Sequence, residues 1–341
     1  HELVELPDYP RQVFLAGSGQ YVCLVYQNQP RLDVYEVEDG QLHLSLGLDS
    51  NDVVAIGNHH SIYLYSKEKK WLERVSLADP EDRRGIPAGG NLIALGTAPY
   101  AKNRAIVAVE KLDSRVIASD SMVIGNRVIT SQRVEDGGHL LELLDPMDLS
   151  PTINDYGDEM SELLETVVGG GADKFRFMPS NSEGSMLFFR AGKIELKDGG
   201  DYTVAKHGIY FSGTEAVLPS ENGEYLFKSE GEIFNMEGYE LHSKYDHYFF
   251  PIRGSDLLAG LETDEARIHV QRGPSEEPIV RFDNLPEFTD ERDAISDLSY
   301  FQRLFYVPEK NKLITVDDNE PLLYFRDLDF SEVMARFGGS R

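Results

Sequence analysis

One short phrase recurs along this chain: an apolar pair, a proline or small residue, a polar turn, then an apolar strand. It reads FMPSNSEGSMLF from Phe177, VLPSENGEYLF from Val217, FFPIRGSDLLA from Phe249 and YVPEKNKLIT from Tyr306. With Ala16 in the proline slot, it also reads FLAGSGQYVCL from Phe14. Proline has no N–H for a ladder and fixes φ, so it suits a strand end. The pairs Glu183-Gly184, Asn222-Gly223 and Gly254-Ser255 that follow accept the positive φ of tight hairpin turns. Each phrase therefore codes for a hairpin. The second strands, Met186 to Phe189, Tyr225 to Phe227, Leu257 to Leu261 and Leu313 to Val316, are apolar without alternation, the pattern of strands covered on both faces.

Hairpins that repeat at such spacing and are covered on both sides bury their faces against their own neighbours, which is a radial arrangement. The sequence thus predicts an all-β fold, a β-propeller over residues 1–341. An ordinary sandwich with similar turns is the competing topology. Pro179, Pro219, Pro251 and Pro308 are spaced 40, 32 and 57 residues apart, uneven in the way loop insertions make repeats uneven. Seven blades give about 49 residues each, near the length expected of propeller repeats, and six also fit the arithmetic. Strands at Gln12 to Ala16, Gln20 to Tyr26, Arg31 to Val37 and Gln41 to Leu46 make the clearest blade. The last unit, with strands at Phe301 to Tyr306, Lys312 to Val316 and Leu322 to Arg326, is one strand short. Residues 2–6 are expected to supply it and close the ring.

Residues 111–175 do not carry the phrase. Met160, Leu163, Leu164, Val167 and Val168 instead follow one helical face, predicting a helix over 158–168 ended by Gly169 to Gly171. A second short helix is predicted from Phe330 to Phe337, capped by Asp329. Both stripes read as packing faces against the propeller.

The runs QVFLAGSGQYVCLVYQNQPRLDVYEVEDGQL, VVAIGNHHSIYLYSKEKKWLERVSL and RLFYVPEKNKLITVDDNEPLLYFRDLDF resemble the propeller-like repeat regions of planctomycete-type bacterial multidomain proteins. The resemblance covers about a third of the chain. It implies a bacterial accessory module beside other domains, such as kinases or trypsin-like peptidases, and assigns no catalytic residue to the propeller. The tryptophan–aspartate repeat signature is nearly missing: Gly138-His139 is the only Gly-His pair, and the single Trp71 is followed by Leu72.

Charge narrows the partners. With 59 acidic against 33 basic residues the net charge is −26, which repels phosphates and so disfavours nucleic acid and anionic membranes. No run of 18 apolar residues exists to span a bilayer, and the protein is expected to be soluble. The densest acidic stretch holds Asp283, Glu287, Asp290, Glu291, Asp293 and Asp297. It interrupts the longest proline spacing, so it is expected to project from the rim as a loop that attracts a basic surface on a protein partner. Acidic groups also cluster at Asp155, Asp158, Glu159 and Glu162 and at Asp317-Asp318-Asn319-Glu320. None carries the calcium-loop pattern, so no cofactor is assigned and a divalent ion such as calcium lacks support.

Chemistry-bearing motifs are absent from the sequence. There is no G-x-S-x-G elbow, H-E-x-x-H helix, phosphate-binding loop or cysteine pair. His242, Asp246 and His247 could share a metal only if a turn gathered them, and loop hydrogen bonding is the plainer reading. His59-His60 falls in a hairpin turn. Cys23 lies within an apolar strand and reads as an inert core thiol. The chain begins at His1 with no secretory leader ahead of it, which suggests a processed or excised piece. Cytoplasmic and extracytoplasmic locations are equally compatible. The expected function is a non-enzymatic protein-binding or scaffold module. The alternative is a hydrolase or lyase with residues convergent on the central channel.

Overall fold

The computed structural model describes residues 2–88, 90–101, 104–111, 114–124, 127–136, 139–155, 163–164, 176–178, 180–181, 184–189, 192–197, 201–206, 217–220, 224–228, 232–235, 240–243, 247–253, 255, 257–262, 267–272, 278–282, 298, 300–317, 319–332 and 335. It is an all-β, seven-bladed propeller.

After strand β1 (Glu2–Glu5), blade 1 is the meander β2 (Pro10–Ala16), β3 (Tyr21–Tyr26), β4 (Arg31–Glu36) and β5 (Leu42–Gly47). Blade 2 is β6 (Val53–Gly57), β7 (Ser61–Ser66), β8 (Trp71–Ser76) and β9 (Arg83–Pro87). Blade 3 is β10 (Asn91–Gly96) and β11 (Ile106–Lys111), then a long inserted hairpin, β12 (Ser114–Ile124) with β13 (Arg127–Asp136), and finally β14 (His139–Leu144) and β15 (Pro151–Asp155). This insertion explains why the repeat phrase is missing from residues 111 onward: its apolar strands belong to a separate two-stranded sheet, not to a blade.

Blade 4 is the three-stranded sheet β17 (Met186–Phe189), β18 (Gly192–Leu196) and β19 (Tyr202–Lys206), and the strand before it, β16 (Arg176–Met178), stands at its inner side but is hydrogen-bonded to β10 of blade 3. Blade 5 is β20 (Val217–Pro219), β21 (Tyr225–Lys228), β22 (Glu232–Asn235) and β23 (Glu240–Ser243). Blade 6 is β24 (His247–Pro251), β25 (Leu258–Glu262), β26 (Arg267–Gln271) and β27 (Val280–Phe282). A one-turn helix, α1 (Tyr300–Arg303), leads into blade 7, formed by β28 (Leu304–Val307), β29 (Lys312–Val316) and β30 (Leu322–Asp327). β1 pairs antiparallel with β30, Glu2 opposite Phe325 and Glu5 opposite Leu322, and makes the fourth strand of that blade.

Both faces of most inner strands are buried because each blade packs between two others. Among the described residues the apolar core divides into seven clusters, one for each blade interface. Between blades 1 and 2, Cys23, Val25 and Val34 meet Val53, Ala55 and Leu64. Between blades 7 and 1, Ile314, Leu323 and Phe325 meet Val13, Val22 and Leu24. Between blades 4 and 5, fully buried Phe188 and Leu226 meet, with Met186 and Phe234 packed on them. Burying such a side chain stabilises by roughly 1.5–3 kcal/mol, so the ring is held by many moderate contributions rather than by one centre.

The helical readings fall partly within view. Leu163 and Leu164 are helical, and Leu164 is buried in the cluster between blades 3 and 4; the rest of 158–168 lies outside the described residues. Near the C-terminus, residues 331–332 and 335 are helical, and Asp329 accepts the Ser331 N–H at 2.7 Å through Oδ1, as a capping carboxylate does. Phe330 is fully buried and packs on the Tyr306 ring, centroids 4.5 Å apart; burial of the Tyr306 phenol pushes its pKa up to about 12. On the outer side of blade 2, Trp71 is 40% exposed and lies across Gly85, where a Cβ would meet the indole at 2.4 Å. No helix among the described residues is long and apolar enough to cross a membrane.

Candidate functional site

Innermost strands of neighbouring blades run the same way along the channel, and the register shows it directly: β16 pairs in parallel with β10, Ala94 opposite Arg176 and Gly96 opposite Met178. The turns that leave the innermost strands therefore gather at one mouth of the channel. These are the turns of the repeat phrase.

Their chemistry is local. Each needs groups that satisfy the backbone while the chain reverses. In blade 2, Asn58 Oδ1 accepts the N–H groups of His60 and Ser61 at 2.9 and 2.8 Å, and Asn58 Nδ2 donates to the Tyr63 hydroxyl at 2.6 Å. In blade 4, Asn181 Oδ1 accepts the Met186 N–H at 3.1 Å. In blade 5, Ser220 Oγ accepts the Tyr225 N–H at 3.0 Å, and in blade 6 Ser255 Oγ accepts that of Leu257 at 3.2 Å. Blade 1 uses backbone freedom instead, with Gly17, Ser18 and Gly19 at φ 63°, 57° and 79°.

Gly19 must also be small. A Cβ there would stand 2.9 Å from Val307 of blade 7 and 3.2 Å from the Tyr100 ring of blade 3. The turns bond to one another as well: Gly17 N donates to Asn58 O at 2.8 Å, Ser18 N donates to Pro99 O at 3.1 Å, and the Ser18 hydroxyl meets His59 Nδ1. Gly184, at φ 65°, abuts Ala98 and Ala101 of blade 3.

One contact crosses the mouth. The Arg253 guanidinium of blade 6 stacks on the Tyr100 ring of blade 3, 3.7 Å from its centroid, and ion-pairs with Glu309 of blade 7. Blades 3 and 6 stand on opposite sides of a seven-membered ring, so the stacked pair spans the opening. Arg253 is 20% and Glu309 47% exposed. Around this bar lie His59, His60 and Lys310, the last ion-paired to Glu38 at 2.5 Å. Among the described residues the mouth is thus a polar, mixed-charge surface.

The residues singled out from sequence are distributed as follows. Asp283, Glu287, Asp290, Glu291 and Asp293, with Asp297, lie outside the described residues, between β27 and α1. His242 and His247 fall on β23 and β24, in neighbouring blades, and Asp246 lies outside the described residues. Asp155 ends β15, while Asp158, Glu159 and Glu162 lie outside the described residues, as does Asp318. Asp317 Oδ1 accepts the N–H groups of Asn319 and Glu320 at 2.9 and 3.1 Å, a turn-forming role. Among the described residues no group of three or more His, Cys, Asp or Glu is placed to hold a metal ion. Cys23 is fully buried, and burial drives its thiol pKa far upward, which makes it a poor nucleophile.

Sequence reading missed Tyr100, Arg253 and Glu309. Their signal was positional: Tyr100 and Glu309 directly follow Pro99 and Pro308, and Arg253 stands two residues after Pro251. Arg253 and Glu309 occupy turns of the repeat phrase, and Tyr100 the corresponding turn between β10 and β11 of blade 3.

No family model and no curated protein matches the sequence. Solved structures do match in shape. The β-propeller domain of Cps50 (Swd1) from Myceliophteria thermophila superposes with a TM-score of 0.53 at 8% identity, covering 96% of this chain and 98% of that one. A chain of the mitotic checkpoint complex superposes with a TM-score of 0.54 at 8% identity, covering 96% and 91%. At that identity the likeness establishes fold, and the class of the molecule is the seven-bladed β-propeller.

Proposed function

We propose that this chain is a non-enzymatic protein-binding propeller, an accessory or scaffold module of a larger protein or assembly. The observation that carries the reading is the Tyr100–Arg253–Glu309 bar across the mouth where the phrase turns converge. A propeller that works on small substrates needs access to convergent polar groups in its channel; here, among the described residues, Arg253 and Glu309 are engaged with each other and Ser18 with His59. Two of the folds it resembles, a Swd1 propeller domain and a chain of the mitotic checkpoint complex, support a scaffold role by analogy.

The partner chemistry follows from charge. Net charge is −26, and the acidic stretch with Asp283, Glu287, Asp290, Glu291 and Asp293 lies in the sequence between the last strand of blade 6 and blade 7. A basic protein surface is the complementary partner. Such attraction acts on association rate and weakens with salt. The test is affinity capture from the source organism with the intact chain and with Asp290→Asn, Glu291→Gln and Asp293→Asn combined. Loss of a captured protein, or a flatter salt dependence, supports the acidic stretch as the contact. Unchanged capture and salt dependence remove it, and measurable turnover of a polysaccharide or peptide overturns the non-enzymatic reading.

A further inference from the structure

The inserted hairpin of blade 3 forms a sheet of its own. β12 and β13 pair over ten register positions, from Ser114 opposite Asp136 to Ile124 opposite Arg127, with a bulge between Val116 and Ala118. At about 3.3 Å per residue each strand is roughly 35 Å long. Among the described residues neither strand pairs with anything but the other, so among them each has one open ladder edge. A two-stranded ribbon is marginal in water alone, and an open edge of this length is a template for another strand.

Charge indicates which strand. Arg115, Arg127 and Arg133 balance Asp120, Glu135 and Asp136, so the arm is neutral on a chain of net charge −26. Two copies can therefore approach through their arms with the least mutual repulsion. The open edge of β13 is also complementary to itself. With a two-fold axis at Ser131, antiparallel pairing sets Arg127 opposite Glu135 of the second copy. It likewise sets Val128 opposite Val134, Ile129 opposite Arg133 and Thr130 opposite Gln132. Centring on Thr130 would oppose Arg127 to Arg133, and centring on Arg133 would oppose that arginine to itself. Opposite charges across strands stabilise and like charges oppose pairing.

We propose that the chain forms a two-fold dimer by edge-to-edge pairing of β13 with β13 of a second copy, in register on Ser131, giving a four-stranded intermolecular ribbon. An isologous contact of this kind closes on itself and does not propagate. It depends on the arm, independently of the channel mouth and the acidic stretch.

The test is sedimentation of the full chain with directed cross-linking. Directly opposed antiparallel residues have Cα atoms about 4.5–5.5 Å apart, within disulfide range. The native thiol, Cys23, is buried and does not compete. Ser131→Cys should oxidise to a covalent dimer. Thr130→Cys and Gln132→Cys should each do so at least tenfold less alone, but efficiently when mixed. Arg127→Glu should raise the dimer dissociation constant at least tenfold. A wild-type chain that stays monomeric into the hundreds of micromolar overturns the proposal, even if its arm captures another protein. So does a dimer in which Ser131→Cys cross-links no better than Thr130→Cys.

Discussion

The seam between blades 7 and 1 and the seam between blades 3 and 4 are both stitched by a borrowed strand, but by opposite means. At the first, β1 adds to the outer edge of blade 7, and the chain then passes covalently into the inner strand of blade 1, with Leu6 N donating to Pro321 O at 2.7 Å and the Tyr9 hydroxyl to Asn319 O at 2.7 Å. At the second, β16 pairs in parallel with the inner strand of blade 3 over three register positions and touches its own blade through a Ser180–Leu187 bridge. Antiparallel ladders are slightly the stronger per residue. The first seam therefore depends on chain order and can be lost only with the strand itself, whereas the second rests on a short inner ladder and on packing behind it.

Removing residues 1–7 breaks the first seam and should give the largest effect. It uncovers the β30 edge beside fully buried Leu323 and Phe325 and should cost more than a single core truncation, above ~5 kcal/mol. A truncated chain that melts with the full chain would place closure elsewhere. Leu187→Ala and Leu226→Ala come next, each ~2–5 kcal/mol from lost transfer energy and the cavity left behind; both side chains are at most 1% exposed. Leu187 packs in the cluster between blades 3 and 4 and Leu226 in the smaller one between blades 4 and 5, so Leu187→Ala should be the costlier in denaturant titrations. Equal costs would mean that the second seam gains nothing from its packing.

Gly19→Ala places a Cβ at φ 79° and against Val307, for about 1–3 kcal/mol of strain. Because Tyr100 also lies on Gly19, the substitution should disturb the Tyr100–Arg253 stack, visible as a change in tyrosine near-ultraviolet circular dichroism. The smallest effect concerns Asp327, which pairs with Lys312 at 3.0 Å at the end of the β29–β30 ladder. The hydrogen bond and charge of Lys312 hold the Asp327 pKa below the usual carboxylate value. Its contribution is therefore present above the unfolded-state pKa and is lost as pH falls through the lowered folded value. Asp327→Asn should lower the neutral-pH melting temperature slightly, leave the acid-pH value nearly unchanged, and so shrink the drop on acidification; the effect is small because Asp327 is largely exposed.

Much of this fold was legible because its turns are written locally. Pro219, Pro251 and Pro308, with Asn181, Ser220 and Ser255 as turn caps, impose the same reversal wherever they recur, and no long-range information is needed to see it. The inserted hairpin was opaque for the opposite reason. Met122 to Ile124 and Arg127 to Gln132 are apolar enough to pass for blade strands, and only their pairing with each other shows that they form a separate sheet. β16 was readable as a strand but not as a partner of β10, since a parallel neighbour leaves no turn in the sequence. The bar across the mouth joins side chains from blades 3, 6 and 7, so no linear window contains it. Tyr100 and Glu309 each look like ordinary turn residues until the ring brings their turns together.

Trp71, lying over Gly85 on the outer strands of blade 2, is the chain's single tryptophan. The molecule thus carries an intrinsic optical reporter at a known address, half in solvent and remote in sequence from the arm of blade 3 and the strand that completes blade 7. Its emission would shift when blade 2 frays or unfolds. A disturbance confined to the mouth, the arm or the 7–1 seam would leave it unmoved, so the wavelength of one fluorophore separates local opening from collapse of the whole ring.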